Sequence, residues 1–524
     1  MSTTASFPDS LPAAPVTASA PPHDAARTLT DARFSEAVSD ELIAFQEAPH
    51  LEREKRQFDE YLKVDMAHTV MLAEQHILDA TQASLILNAL REVQGLGVAG
   101  FPFDARKGSF LLQIEDYLFS RIGENVGGRM HTGRSRLDQG PTVRRLYKRR
   151  QLVEVMHGLL AMQATLIDLS RQHESTLMPG YTCMQHAHPG VFGHYLLSFA
   201  TKLADDFDRL SSAMTRLNIS PLGAAGLSGT SWPINRQRTA QLLGFDGLVD
   251  NAKLAREAFY AAEIAAGLSF VMATLNDLAT DLHIWSTHEF GFIETGDEFC
   301  GTSSIFPQKK NPSGLEAVRF AAGGAVTWLA TLLATFRAEG TGDVVMREAP
   351  LLDEAFVATR GSLRLLDAIV QTMQVRAGRM GAAVRGNWST ATSLADLMVQ
   401  ACDVSFRQAH SAVARLVRNA LAQGLSEDAV DSAMLAQAAS EIGVEGVAID
   451  TAEIRRVLDV GEFARTRDSH GGISVGEIER LARQAGKRLA KAEAWMNEKR
   501  RQFSAADQML QAAVQQHGPA SAEV

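Results

Sequence analysis

Two long apolar stretches constrain this chain more than any other feature. Residues 254–290 carry a hydrophobic stripe at three- and four-residue spacing, which predicts one helix of roughly 50 Å at ~1.5 Å per residue. Residues 317–336 are apolar with few charges. A helix there is expected to be buried on most sides, at a bundle centre or a subunit interface. Helices of this length and patterning fit an elongated bundle. Aromatic residues make up only 7% while Ala and Leu abound, which favours helix over sheet. At 524 residues, 46% of them hydrophobic, the chain has material for about three domains.

The formal net charge of -10 argues against nucleic acid or an anionic membrane as the main partner. No apolar run reads as long enough to span a bilayer, and the N-terminus lacks a secretory pattern. Cys183, Cys300 and Cys402 are odd in number and far apart, so no disulfide framework is implied and a reducing cytoplasm is expected. There is no HExxH or CxxC pattern and no metal-ligand spacing.

Between the two long stretches lies residues 301–316, GTSSIFPQKKNPSGLE. Gly, Ser and Pro at both ends mark a loop. Ser303 or Ser304 can serve as a base if its surroundings stabilise the alkoxide. Lys309 supplies positive charge, Asn311 an amide, and the Ser-Ser backbone N–H donors. Together they suit a carboxylate that gains charge when a proton leaves the neighbouring carbon. A second candidate segment, residues 127–139 (GGRMHTGRSRLDQ), opens on glycines and offers His131, Thr132, Ser135 and Arg136. Arginines with His and Thr in such a loop suit bidentate grip of a carboxylate. A third, residues 178–190, reads MPGYTCMQHAHPG and contains Thr182, Cys183 and Gln185. A buried Cys usually acts as a small hydrophobe, and Cys183 is expected to do so.

The 301–316 run resembles the signature of the fumarase/aspartase superfamily, and its argininosuccinate lyase branch most closely. HTGRSR, PGYT and the ATSLAD…FRQAH stretch within residues 389–410 resemble that branch as well. So do residues 64–72, VDMAHTVML, and residues 219–236, which keep Arg236. The resemblance covers roughly residues 42–489. It implies an all-α protomer of three domains: an N-terminal helical domain over 31–133, a central helix bundle over 134–380 and a C-terminal helical domain over 381–505; composition reads residues 1–30, rich in Ser, Thr, Ala and Pro, and 506–524 as tails. The resemblance further implies a cytoplasmic homotetramer whose active sites each draw on three subunits, acting on a small dicarboxylate.

The implied reaction is β-elimination of an amine from an N-substituted aspartate, giving fumarate, with no metal or organic cofactor. By position, Ser303 is the base, Lys309 and Asn311 stabilise the aci-carboxylate with help from Ser304, and Glu316 pairs with the residue at position 183. Arg136, Thr132, Ser135, His131, Thr182, Gln185, Arg236 and Asp65 fall at substrate-binding positions. The chain departs from the family pattern at Asp65 (family Ser), Leu137 (Asn), Cys183 (His on the acid side), Thr302 (Gly), Phe306 (Met) and in residues 342–356, where a Tyr/Gln segment is missing. The substrate is then argininosuccinate or a related N-succinyl amino acid, and these changes favour the second. The alternatives are another fumarate-linked carbon–nitrogen or carbon–sulfur lyase, or an inactive structural paralogue.

Overall fold

The structure, a computed structural model, describes residues 37–336 and 350–518. The expected tail over residues 1–30 and most of the 342–356 segment fall outside those residues. The described residues are helical almost throughout, and among them strands occur only as short two-stranded pairings.

The main helices in order are α1 (Phe58–Glu74), α2 (Arg136–Gln172), α3 (Phe192–Leu217), α4 (Phe259–Trp285), α5 (Ser313–Ala325), α6 (Trp328–Thr335), α7 (Leu351–Thr372) and α8 (Val475–His517). Between α2 and α3 strands β1 (Leu177–Thr182) and β2 (Gln185–Val191) form an antiparallel hairpin; β3 (Gly301–Thr302) and β4 (Lys310–Asn311) pair before α5. α4 is shorter than the sequence stripe, because residues 252–256 form a separate 3₁₀ turn and Ser286 ends the helix.

α2 starts on a capping box. The Ser135 hydroxyl accepts from Leu137 N, and Asp138 returns a bond to Ser135 N at 2.7 Å. These bonds satisfy N–H groups that the first turn cannot pair internally.

α2, α3, α4 and α7 pack along one another around a single apolar core running from Leu152 to Met380, with Ile478, Ala482 and Met496 of α8 added from outside. A second core gathers α1, residues 80–118, the first turns of α2 and the segment 222–245. A third contains only residues 394–458. α8 belongs to two of them. Its far end places Leu510, Ala513 and Val514 in the second core, so the tail read as starting at 506 is helix through His517. Apolar positions every three to four residues continue past that point, which is what keeps the helix docked.

Two expectations about apolarity need correction. By length and composition alone, α2, α4 and the α5–α6 stretch are apolar enough to cross a bilayer. And α5–α6 is not buried on most sides within one chain: Phe320 is 89% and Val326 79% exposed, with Leu333 and Leu329 beside them also open.

Candidate active site

The 301–316 loop is built on a narrow stem. β3 and β4 pair Gly301 with Asn311 and Thr302 with Lys310, leaving residues 303–309 as the tip. Lys310 anchors the stem through Asp297 at 2.6 Å and Glu294 at 3.1 Å, and Arg376 also pairs with Glu294. Gly301 is required here: a Cβ would lie 2.5 Å from Ser313 Oγ. At the tip, Ser303 Oγ accepts from the backbone N–H of Phe306 at 3.0 Å and of Ile305 at 3.3 Å. Two N–H dipoles aimed at one hydroxyl oxygen favour its anionic form. Ser304 and Lys309 are exposed, and Asn311 is half-buried at the stem. Glu316, on the first turn of α5, lies 3.9 Å from His283 Nε2, while Arg319 donates to His283 Nδ1 at 2.7 Å. Burial, and then Arg319, hold the His283 imidazole below its usual range. His283 lies in no recognisable motif of the sequence, so only the fold brings it to Glu316.

The 127–139 segment turns through Gly133, whose φ of 74° and whose 2.8 Å approach to Ile234 leave no room for a Cβ. Arg134 is buried against Asp65 at 2.6 Å, His131 Nδ1 meets Glu115 Oε1 at 2.6 Å, and His68 Nε2 meets Thr132 O at 2.8 Å. Asp65 is therefore not a substrate contact: it is 0% exposed and its Oδ1 is committed to Arg134 and Gln139. Ser135 is likewise engaged as the cap of α2. Thr132 keeps a half-exposed side chain. Arg136 is exposed and lines a cavity of about 210 Å³ with His50, Glu54, Ser109, Gln139 and Arg144. His50, Ser109 and Arg144 come from segments that carry no motif, so only the fold reveals them. Glu54 has both oxygens in use, by Tyr61 and His50 on one and Phe110 N on the other.

In the hairpin, Thr182 pairs with Gln185, and Cys183 and Met184 form the turn with φ of 53° and 59°. Both central residues are left-handed, as the twist of a two-residue hairpin demands. This geometry exposes Cys183, against the expectation of a buried hydrophobe. Arg236 is a clamp rather than a ligand group: Nε donates to Leu222 O at 2.9 Å and Nη2 to Val249 O at 3.0 Å.

These segments do not meet within one chain. Arg136 opens α2 and the hairpin follows its other end; 37 residues of helix span roughly 55 Å at ~1.5 Å each. The loop shares the hairpin's end of the bundle. Tyr181 of β1 stacks edge-on against Phe290 at 5.9 Å, and residues 293–294, just beyond, pair with 374–375. A site containing Ser303, Thr182 and Arg136 must join more than one copy of the chain.

Comparison with known proteins identifies the family. A lyase family model matches residues 34–326, and an argininosuccinate lyase C-terminal model matches residues 388–465. The argininosuccinate lyase of Methanococcoides burtonii is 35% identical over 462 residues, which is 87% of this chain and 92% of that protein. The chain belongs to the argininosuccinate lyase family. Among solved structures, EDDS lyase in complex with formate superposes with a TM-score of 0.82 at 30% identity, over 92% of this chain and 97% of that one. A variant of EDDS lyase with bound fumarate superposes with a TM-score of 0.81, again at 30% identity and the same coverage. This member of the argininosuccinate lyase family is thus a carbon–nitrogen lyase of the fumarate-forming kind, with the all-helical fumarase/aspartase-type fold.

Proposed function

We propose that this lyase eliminates an amine from an N-substituted aspartate, or adds the amine to fumarate, in a site shared by several copies of a homotetramer. The observation that carries the proposal is the pair of backbone N–H groups on Ser303 Oγ. The C–H beside a carboxylate is a very weak acid, so the base must be stabilised as an anion and the new charge must be caught. Ser303 takes the proton. The electron pair moves onto the adjacent carboxylate, forming an aci-carboxylate held by Lys309, Asn311 and the backbone of Ser304. The C–N bond then breaks, leaving fumarate and the amine. One preorganised donor of this kind is worth about 3–4 kcal/mol.

Arg136, with Thr132 and His131 beside it, would grip the second carboxylate from another copy, and Thr182 and Gln185 from a further one. Cys183 at the exposed hairpin turn is the donor for the leaving amine, with Glu316 and His283 opposite. The open apolar face of α5–α6 supports the assembly. Three free cysteines support a reducing, cytoplasmic setting.

The amine is read as something other than arginine. A guanidinium leaving group wants a carboxylate partner, yet the cavity beside Arg136 sets three arginines, Arg106, Arg136 and Arg144, against two carboxylates, of which Glu54 is fully committed and Glu47 already accepts from Gln46. Leu137 also puts an apolar side chain next to Arg136. An unpaired polar group there discriminates strongly. The test is to incubate the protein with fumarate and a panel of amines and amino acids, following fumarate absorbance and adduct mass. Turnover with a non-guanidino amine, lost in Ser303→Ala, is the expected result. Full rate in Ser303→Ala would refute the base assignment, and preferred turnover with arginine would refute the choice of amine.

A further inference from the structure

Asp65 anchors a buried polar cluster that the reaction outlined above does not use. It lies on α1, and its side chain and that of Arg134 are both 0% exposed. A single oxygen, Asp65 Oδ1, accepts from Arg134 Nη1 at 2.6 Å and from Gln139 Nε2 at 2.9 Å. Arg134 precedes Arg136 in the chain and Gln139 follows it. One carboxylate oxygen therefore ties down the backbone on both sides of the exposed arginine. His68, one turn along the same face of α1, adds a third tie through Thr132 O.

The cluster is poorly built for stability. Asp65 Oδ2, Arg134 Nε and Nη2, and His68 Nδ1 are buried without a hydrogen-bond partner among the described residues. A buried ion pair repays its desolvation only when its remaining donors and acceptors are satisfied. An apolar pair of similar volume is often neutral or better. Geometry, not net stability, is what this pair supplies.

We propose that Asp65 is a positioning residue: by holding Arg134 and Gln139 it aims the Arg136 guanidinium into its cavity, and so sets the affinity for the substrate carboxylate. Asp65 touches no substrate and acts through Arg136. The proposal rests on the reading that Arg136 grips that carboxylate.

The test uses the full-length protein and four variants, with fumarate binding by calorimetry, KM and kcat for the active amine, and melting temperature. The double variant Asp65→Leu/Arg134→Met is expected to melt no lower than the wild type. Its fumarate Kd and its KM should rise about tenfold or more while kcat moves ~threefold or less, the pattern of lost uniform binding. Asp65→Asn should show the same loss of affinity together with a lower melting temperature, and Asp65→Glu should recover part of the affinity. If the double variant binds fumarate as tightly as the wild type, the proposal is overturned. Should that variant fail to fold, Gln139→Met removes one tie while keeping the ion pair. A rise of roughly threefold in Kd is then expected, and an unchanged Kd overturns the proposal. A wild type that binds no fumarate brings down the Arg136 reading and this inference together; wild-type binding that every variant retains brings down this inference alone.

Discussion

Replacing Phe320 by glutamate tests whether the α5–α6 face is where copies of the chain meet. Phe320 is 89% exposed in the single chain, and Val326, Leu329 and Leu333 of the same stretch are exposed as well. A Phe side chain buries roughly 150–250 Å² when fully covered, so close to that whole area remains to be covered by a partner. Covering a Phe side chain completely contributes about 1.5–3 kcal/mol per chain. That is roughly ten- to a hundredfold in an association constant. Glutamate forfeits this contribution and adds the cost of desolvating a charge. Sedimentation at micromolar protein should therefore show the wild type as an assembly and Phe320→Glu as smaller species. Circular dichroism should be unchanged, because the residue contributes almost nothing to the core of its own chain. Turnover should fall with assembly, since Arg136 and the hairpin lie at opposite ends of α2. A variant that sediments and turns over as the wild type does would refute both the interface and the shared site.

Mixing two inactive proteins gives a sharper reading of site sharing: Arg136→Ala and Ser303→Ala, unfolded and refolded together, should recover up to about a quarter of wild-type rate through sites that draw both residues from intact copies, and no recovery would place both groups on one chain. Cys183 should react with a thiol reagent faster than the less exposed Cys300 and Cys402. Saturating fumarate should slow that reaction if the hairpin faces the site; equal rates with and without fumarate count against it. The Lys310 hydrogen bond, with Arg376 second, holds the Glu294 carboxyl below its ordinary range, and Lys310 does the same to Asp297. Because the folded values are depressed, the latch is fully present above the ordinary carboxylate range and is lost as pH falls through the lowered values. Pepsin cleavage within residues 303–309 should therefore rise on acidification in the wild type. In Lys310→Met it should already be high at the upper end of that range, and identical profiles would dismiss the latch.

The parts of this molecule that were legible beforehand are those whose residue order is itself chemistry. A serine pair followed by Pro, Lys and Asn-Pro states a task, and the stem that positions it rests on the glycine at 301 and on Lys310 bridging to Asp297 and Glu294. Helical class was legible because the apolar period of α4 is sustained. What escaped has physical causes. The hairpin over residues 177–191 contains Pro179, Gly180, Pro189 and Gly190, residues that argue against strands, so nothing announced that Cys183 would be thrust outward. α1 is buried almost all round, from Phe58 to Ala73. Its pattern therefore could not say which way Asp65 points, and the partner that settles it, Arg134, is far along the chain. The α5–α6 stretch is the most instructive disagreement. Its composition demands burial, yet one copy of the chain leaves Phe320 and Val326 in the open. Apolarity encodes burial in the assembled state, whereas a single chain reveals only what it covers by itself. If that exposed apolar stretch is covered by another molecule, the roughly 55 Å between Arg136 and the hairpin gives that molecule a reason to be a second copy, which is what Phe320→Glu tests.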